Sequence, residues 1–203
     1  DQYGNTVLIN AARGKVENME TLLPHIANIN HQNHEGHTAL SMAVKRGSEK
    51  VFDFLVEKGA NIHLLDAQKN DLMSLAFQSF RSRQEAAYDH IITALMEHEL
   101  QLADAYDQGN TLAHLAIEQN STYLLEKAIA LGADVNAKND IGLSPLHLAA
   151  MKATDKNMIE LLLAAGADKS LHTDFEESAY QLASENELLG GDAVATDLLK
   201  MED

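Results

Sequence analysis

The 203 residues carry 31 acidic and 15 basic side chains, a formal charge of -16, with 45% hydrophobic content and no cysteine. That charge repels phosphate backbones and anionic lipid, which sets aside nucleic acid and direct membrane insertion and favours another protein with a basic surface as partner. Lack of cysteine removes disulfides, thiolate catalysis and cysteine-ligated zinc, and no apolar run approaches the roughly 20 residues of a membrane-spanning helix.

From the first residues onward, one local grammar recurs. Gly4-Asn5-Thr6-Val7-Leu8, Gly36-His37-Thr38-Ala39-Leu40, Gly109-Asn110-Thr111-Leu112-Ala113 and Gly142-Leu143-Ser144-Pro145-Leu146 each open an alanine-containing helical pattern. Thr or Ser ahead of the helix can accept from its free N–H groups, and proline in the first turn gives up no needed bond. Gly59, Gly132 and Gly166 then stand where a second helix must end in a left-handed residue. Ala11, Ala12, Ala43, Ala116, Ala149 and Ala150 let the first helices approach one another, while Phe52, Leu55, Val56, Leu161, Leu162 and Leu163 fill the layer behind them.

Ser144-Pro145-Leu146-His147, with weaker forms at Thr111-Leu112-Ala113-His114 and Thr38-Ala39-Leu40-Ser41, resembles the signature of the ankyrin repeat. The resemblance implies an all-α solenoid in which a β-turn precedes each pair of antiparallel helices. Six units follow over one domain, at 1–32, 33–65, 66–105, 106–138, 139–172 and 173–203. It also implies that His114 and His147 brace the turns by hydrogen bonds.

Two units depart from the pattern. The third has Lys69 for glycine, Asp71 for threonine and about seven extra residues around Phe77 to Glu85, read either as an insertion loop or as a lengthened helix pair, since Ala86, Ala87, Tyr88, Ile91, Ile92 and Leu95 keep a helical spacing. The sixth carries nine acids, Asp192, Glu202 and Asp203 among them, against Lys200, as a polar cap would. At the other end Leu8, Ile9, Met19, Leu22 and Leu23 are expected to face an open side, with further repeats ahead of them. The run from Asp174 to Asn186 resembles the ends of ankyrin proteins of Bacteroidetes, which implies a periplasmic or cell-surface protein; a cytoplasmic one is the alternative.

Catalytic and cofactor motifs are missing: there is no phosphate-binding glycine loop, nucleophile elbow or His-Glu-x-x-His pair, so no enzyme activity and no cofactor is expected. His31, His34 and His37 at spacing three could ligate a metal, but a turn rarely aims three such residues at one point, and solvated histidines are expected instead. The resemblance places partner binding on turn tips (His34, Glu35, His37, Gln68, Asn70, Asp107, Gln108, Asn110, Asp140, Ile141 and Leu143) and on inner helices (Lys45, Arg46, Glu118, Gln119, Met151 and Lys152). Ile141 and Leu143 are the preferred anchors, being apolar at tips expected to be exposed. A non-enzymatic scaffold or accessory subunit of a larger assembly follows, with a ligand- or metal-binding protein, or the non-catalytic part of an enzyme, as alternatives.

Overall fold

A computed structural model describes residues 1–98, 100, 102–189 and 193–201. Asp192, Glu202 and Asp203, counted above in the acidic cap, lie outside the described residues. Twelve α-helices and four short 3-10 turns make up the described regular structure, with no strand among those residues and one isolated antiparallel bridge, His172 to Ser178. The all-helical class expected from the repeat pattern is the one observed.

Residue contacts gather the chain into two compact units, Asp1–Ala103 and Asp104–Asp203. The first holds α1 (Val7–Ala11), α2 (Val16–Leu22), α3 (Ala39–Arg46), α4 (Glu49–Glu57), α5 (Leu72–Ser79) and α6 (Glu85–Glu97). The second holds α7 (Leu112–Glu118), α8 (Thr122–Ala130), α9 (Pro145–Lys152), α10 (Asn157–Ala164), α11 (Ala179–Glu185) and α12 (Ala193–Leu198). In the first unit α1, α3 and α5 pack in a row, backed by α2, α4 and α6; in the second α7, α9 and α11 pack in a row, backed by α8, α10 and α12. Helices of five to 13 residues are marginal alone in water, so their stability comes from stacking.

Local chemistry fixes where the inner helices begin. The side chains of Thr6, Thr38, Asp71, Ser144 and Ser178 each accept from an N–H in the first turn of the following helix, a cap worth about 1 kcal/mol. Asp71 therefore replaces threonine without loss of the cap, its Oδ1 accepting from Ser74 N at 2.7 Å. Gly59, Gly132 and Gly166 end their helices at φ 82°, 79° and 92°, as the helix-stop reading requires. Alanines 43, 116, 149 and 150 are fully buried, and Phe52, Leu55 and Leu162 fill the layer behind them, whereas Val56, Leu161 and Leu163 keep part of their surface in solvent.

The third helix pair realises its extra residues in two ways. Residues 80–84 form a connection with a 3-10 turn, and α6, at 13 residues, is the longest helix described. Its Tyr88, Ile91, Ile92 and Leu95 are buried. Tyr88 packs on Phe80, ring centroids 5.6 Å apart, and donates its hydroxyl to the Ser79 carbonyl at 2.6 Å, fastening the connection to the helix behind it.

The expected open side at the first unit's start is corrected for Leu8, Ile9 and Met19, which are buried where α1 and α3 pack with α2 and α4; Leu22 and Leu23 keep part of their surface in solvent, and Tyr3 and Val7 are exposed. The last unit is likewise not a purely polar cap, since Phe175, Tyr180, Leu188 and Met201 all stand in solvent.

Candidate functional site

Each inner helix is preceded by a five-residue turn whose first side chain organises it. The carboxylate of Asp1, the amide oxygen of Asn33, the carboxylate of Asp66, the amide oxygen of Asn139 and the hydroxyl of Thr173 each accept from the N–H groups two and four residues on, at 2.8 to 3.2 Å. The first and fifth residues also close a backbone bond, for example Asn139 N to Leu143 O at 2.9 Å. Tyr106 stands in the same place with no such acceptor, and its turn passes through Gln108 and Gly109, both at positive φ. Neighbouring turns are zipped through their backbones: His34 N donates to Tyr3 O, Ala67 N to Glu35 O and Asp140 N to Gln108 O, at 2.9 to 3.0 Å. A methyl group on Gly142 would run into the carboxylate of Asp174, which shows how closely the turns at 139–143 and 173–177 approach.

This geometry sorts the candidate residues. His34, Glu35, Gln68, Asp107, Gln108, Asp140 and Ile141 are second or third residues of their turns and are exposed. His37, Asn70 and Leu143 were expected at the tips as well, but they are fifth residues, in the stem, and only 4%, 5% and 8% exposed. Their backbone N–H groups bond the first side chain of the turn, which turns them back toward the packed helices. Asn110, also a fifth residue, is half-buried, and its Oδ1 accepts from Asn139 Nδ2 at 2.9 Å.

On the inner helices, Arg46 and Met151 are exposed, and Lys45 and Gln119 are partly so. Lys152 and Glu118 are exposed but pair with each other at 2.6 Å across α7 and α9, a surface pair of small energetic weight. Met151 sits at 43% exposure near the end of α9.

The sequence reading passed over Phe175, the third residue of the turn that begins at Thr173, which is 80% exposed. Ile141, the third residue of the preceding turn, is 62% exposed. Counting from Thr173 would have found Phe175; the missing glycine at 176 hid the turn, which Glu176 completes at φ 63°. Asp140 and Asp174 flank the two apolar tips, and Asp174 is paired to Lys138 at 3.3 Å.

His114 and His147 carry the bracing role that the resemblance implied. His114 Nδ1 accepts from Thr111 N and its Nε2–H donates to Leu143 O at 2.9 Å; His147 Nδ1 accepts from Ser144 N and its Nε2–H donates to Leu171 O at 2.9 Å. Both are thereby held as neutral imidazoles, and burial holds their pKa values below the ordinary range. His37 corrects the expectation of solvated turn histidines: it is buried, its Nε2 lies 2.6 Å from Lys45 Nζ, and burial first, then Lys45, lowers its pKa. His31 Nε2 bonds the Gly4 carbonyl. Among the described residues no group of three or more His, Asp or Glu is gathered as metal ligands, and no helix is long and apolar enough to cross a membrane.

Comparison with known proteins agrees with this architecture. The family model described as ankyrin repeats (3 copies) matches residues 1–66 and 84–173. A nuclear factor NF-kappa-B subunit of Gallus gallus is 30% identical over 169 residues, covering 83% of this chain and 17% of that protein. A putative ankyrin repeat protein of fowlpox virus is 28% identical over 141 residues, covering 68% of this chain and 40% of the other. The chain thus spans well under half of the length of either relative. Two solved structures share the fold. One, titled as a predatory endopeptidase of Bdellovibrio bacteriovorus in complex with an immunity protein, superposes at TM-score 0.79 and 24% identity, over 98% of this chain and 100% of the matched chain. The other, an ankyrin repeat domain of Acinetobacter baumannii, superposes at TM-score 0.76 and 20% identity, over 98% and 97%. Ankyrin repeats are protein–protein interaction modules, and the fold is typically non-catalytic. With its turn, capped inner helix and antiparallel partner repeated along both units and the family model matching most of its length, this chain belongs to the ankyrin-repeat family.

Proposed function

We propose that this chain is a non-enzymatic binding module that holds another protein on the turn tips of its Asp104–Asp203 unit. The observation that carries this reading is the pair Ile141 and Phe175, large apolar side chains in solvent on consecutive turns. The turn backbone is bonded without them, so folding does not account for their exposure. Asp107, Asp140 and Asp174 give this apolar centre an acidic rim, which suits a partner with a basic surface. Gln108 and Met151 extend the surface on either side. The six-repeat division of the chain belongs to the same proposal.

Within that class, the role is that of a scaffold, an inhibitor or an accessory subunit of a cell-envelope assembly. The end-to-end likeness to a chain from an endopeptidase–immunity protein complex supports an inhibitor among these. The test is affinity capture from the native organism at low and high salt, followed by the double variant Ile141→Asp with Phe175→Asp. The captured partner should bind the variant about 2 kcal/mol more weakly, with thermal unfolding nearly unchanged. Unaltered affinity would reject the tip surface.

A further inference from the structure

The chain has four arginines, Arg13, Arg46, Arg81 and Arg83, and all four fall on one edge of the Asp1–Ala103 unit. The backbone ladder between turns aligns the starts of α1, α3 and α5, and these helices pack in a row, so they also end on a common side. Arg13 with Lys15, Lys45 with Arg46, and Arg81 with Arg83 stand at or just after those three ends. The places are neighbours in space. Gln84 Nε2, one residue after Arg83, donates to the Arg46 carbonyl at 3.3 Å, and α1 packs directly on α3.

Among the described residues no ion pair joins any of the four arginines to an acid. Acids are at hand: Glu17, Glu49 and Glu85 lie within four residues in sequence, but they occupy the first turns of α2, α4 and α6, where the helix dipole favours them. The same dipole accounts for Lys45 and Arg46 in the last turn of α3, and Arg83 stands in the last turn of a 3-10 helix, but Arg13 and Arg81 lie beyond the ends of α1 and α5, and Lys15 is the N-cap of α2, where the dipole favours an acid instead. Stacking does not require cations here either, since the matching ends of α7 and α11 carry Glu118 and Glu185.

We propose that this edge docks an extended acidic segment of another protein, with its carboxylates held by the arginine forks of successive repeats. A guanidinium pairs with a carboxylate through two parallel N–H bonds, which is why arginine rather than lysine suits the task. Packed helices lie about 8–10 Å apart, and three residues of extended chain span about 10 Å, so a segment with an acid at every third residue meets one repeat after another. Nucleic acid presents a charge every ~1.7 Å along the duplex and is repelled far more strongly by a chain of -16 than a few carboxylates are.

This site shares no residue with the tip surface of the second unit, and either can fail alone. The probe is a fluorescein-labelled peptide of four Glu-Gly-Ser triplets, with a 12-mer oligothymidylate beside it, read by anisotropy on the whole chain. Binding of the peptide is expected at about 50 mM salt, falling tenfold or more by about 300 mM. Arg81→Gln with Arg83→Gln, and separately Arg13→Gln with Arg46→Gln, should each weaken it about tenfold, the scale of a lost charge-assisted bond. Ile141→Asp with Phe175→Asp should leave it unchanged. The arginines are exposed, and circular dichroism checks that both pairs fold. No peptide binding at about 50 mM salt, binding indifferent to both arginine pairs, or tighter binding of oligothymidylate would each overturn the proposal.

Discussion

In the Asp104–Asp203 unit, His114 and His147 occupy the third position of their helices and reach the Leu143 carbonyl in the next repeat and the Leu171 carbonyl two residues ahead of the turn that begins at Thr173. The Asp1–Ala103 unit has Ile9, Ser41 and Ser74 in that position, and the two serines bond back to Thr38 and Asp71 in their own turns. That unit buries Phe52, Phe77 and Tyr88 among its largest side chains, with Tyr88 seated over the turn at Gly47. Charge divides as unequally: 13 acidic against 9 basic residues in the first unit, 18 against 6 in the second, or four and twelve net negative charges. One repeat plan thus accepts either aromatic packing or buried imidazole bridges between successive hairpins, and it leaves surface charge free to differ.

The sharpest way to break this comparison is to remove one bridge. His114→Ala should cost about 3 kcal/mol, because it leaves the Thr111 N–H without a partner, takes from the Leu143 carbonyl one of its two bonds and opens a cavity, while Ser41→Ala should cost about 1 kcal/mol. Urea denaturation of both variants checks the ratio, and equal losses would show that the imidazole does no more than the hydroxyl.

A smaller effect should follow from pH. Because burial lowers the pKa values of His114 and His147 from 6.5, protons bind the unfolded chain more readily, so their contribution is whole above 6.5 and is lost as pH falls through the folded values. His90, raised by its bond to Asp53, works in the opposite direction, but it is exposed and weighs little. Acidification from pH 7 should therefore lower the melting temperature less steeply in a variant with His114→Gln and His147→Gln. Gln181 already fills this position in α11, where its Oε1 accepts from Ser178 N. Identical slopes in calorimetry would remove the histidines from the explanation.

The smallest expected change lies in the first unit. Lys69 is held at φ 64° where other turns use glycine, so Lys69→Gly should raise stability by about 1 kcal/mol, read as a shift in the denaturation midpoint.

Much of this fold was legible because its signals are local. Thr38, Thr111 and Ser144 announce helix starts, glycines at 59, 132 and 166 announce stops, and the bracing of His114 and His147 followed from the family resemblance. The candidate surface was legible only in part. Ile141 and Leu143 look alike in sequence, yet the left-handed Gly142 between them reverses the chain, leaving one at the tip and returning the other to the stem. Phe175 was missed for the converse reason: Glu176 adopts the left-handed conformation that the eye seeks in a glycine. Charge segregation between the units was beyond reach while their boundary was unknown.

The ladder of main-chain bonds from turn to turn has a consequence for change over time. Since His34 N, Ala67 N and Asp140 N grip their neighbours without using a side chain, Glu35, Gln68, Gln108 and Ile141 are exempt from holding the scaffold upright. Those positions form a writable edge on a fixed frame, where a new specificity can arise by single substitutions, whereas Asn33, Asp66 and Asn139, two residues back along the turn, are locked by the bonds they accept.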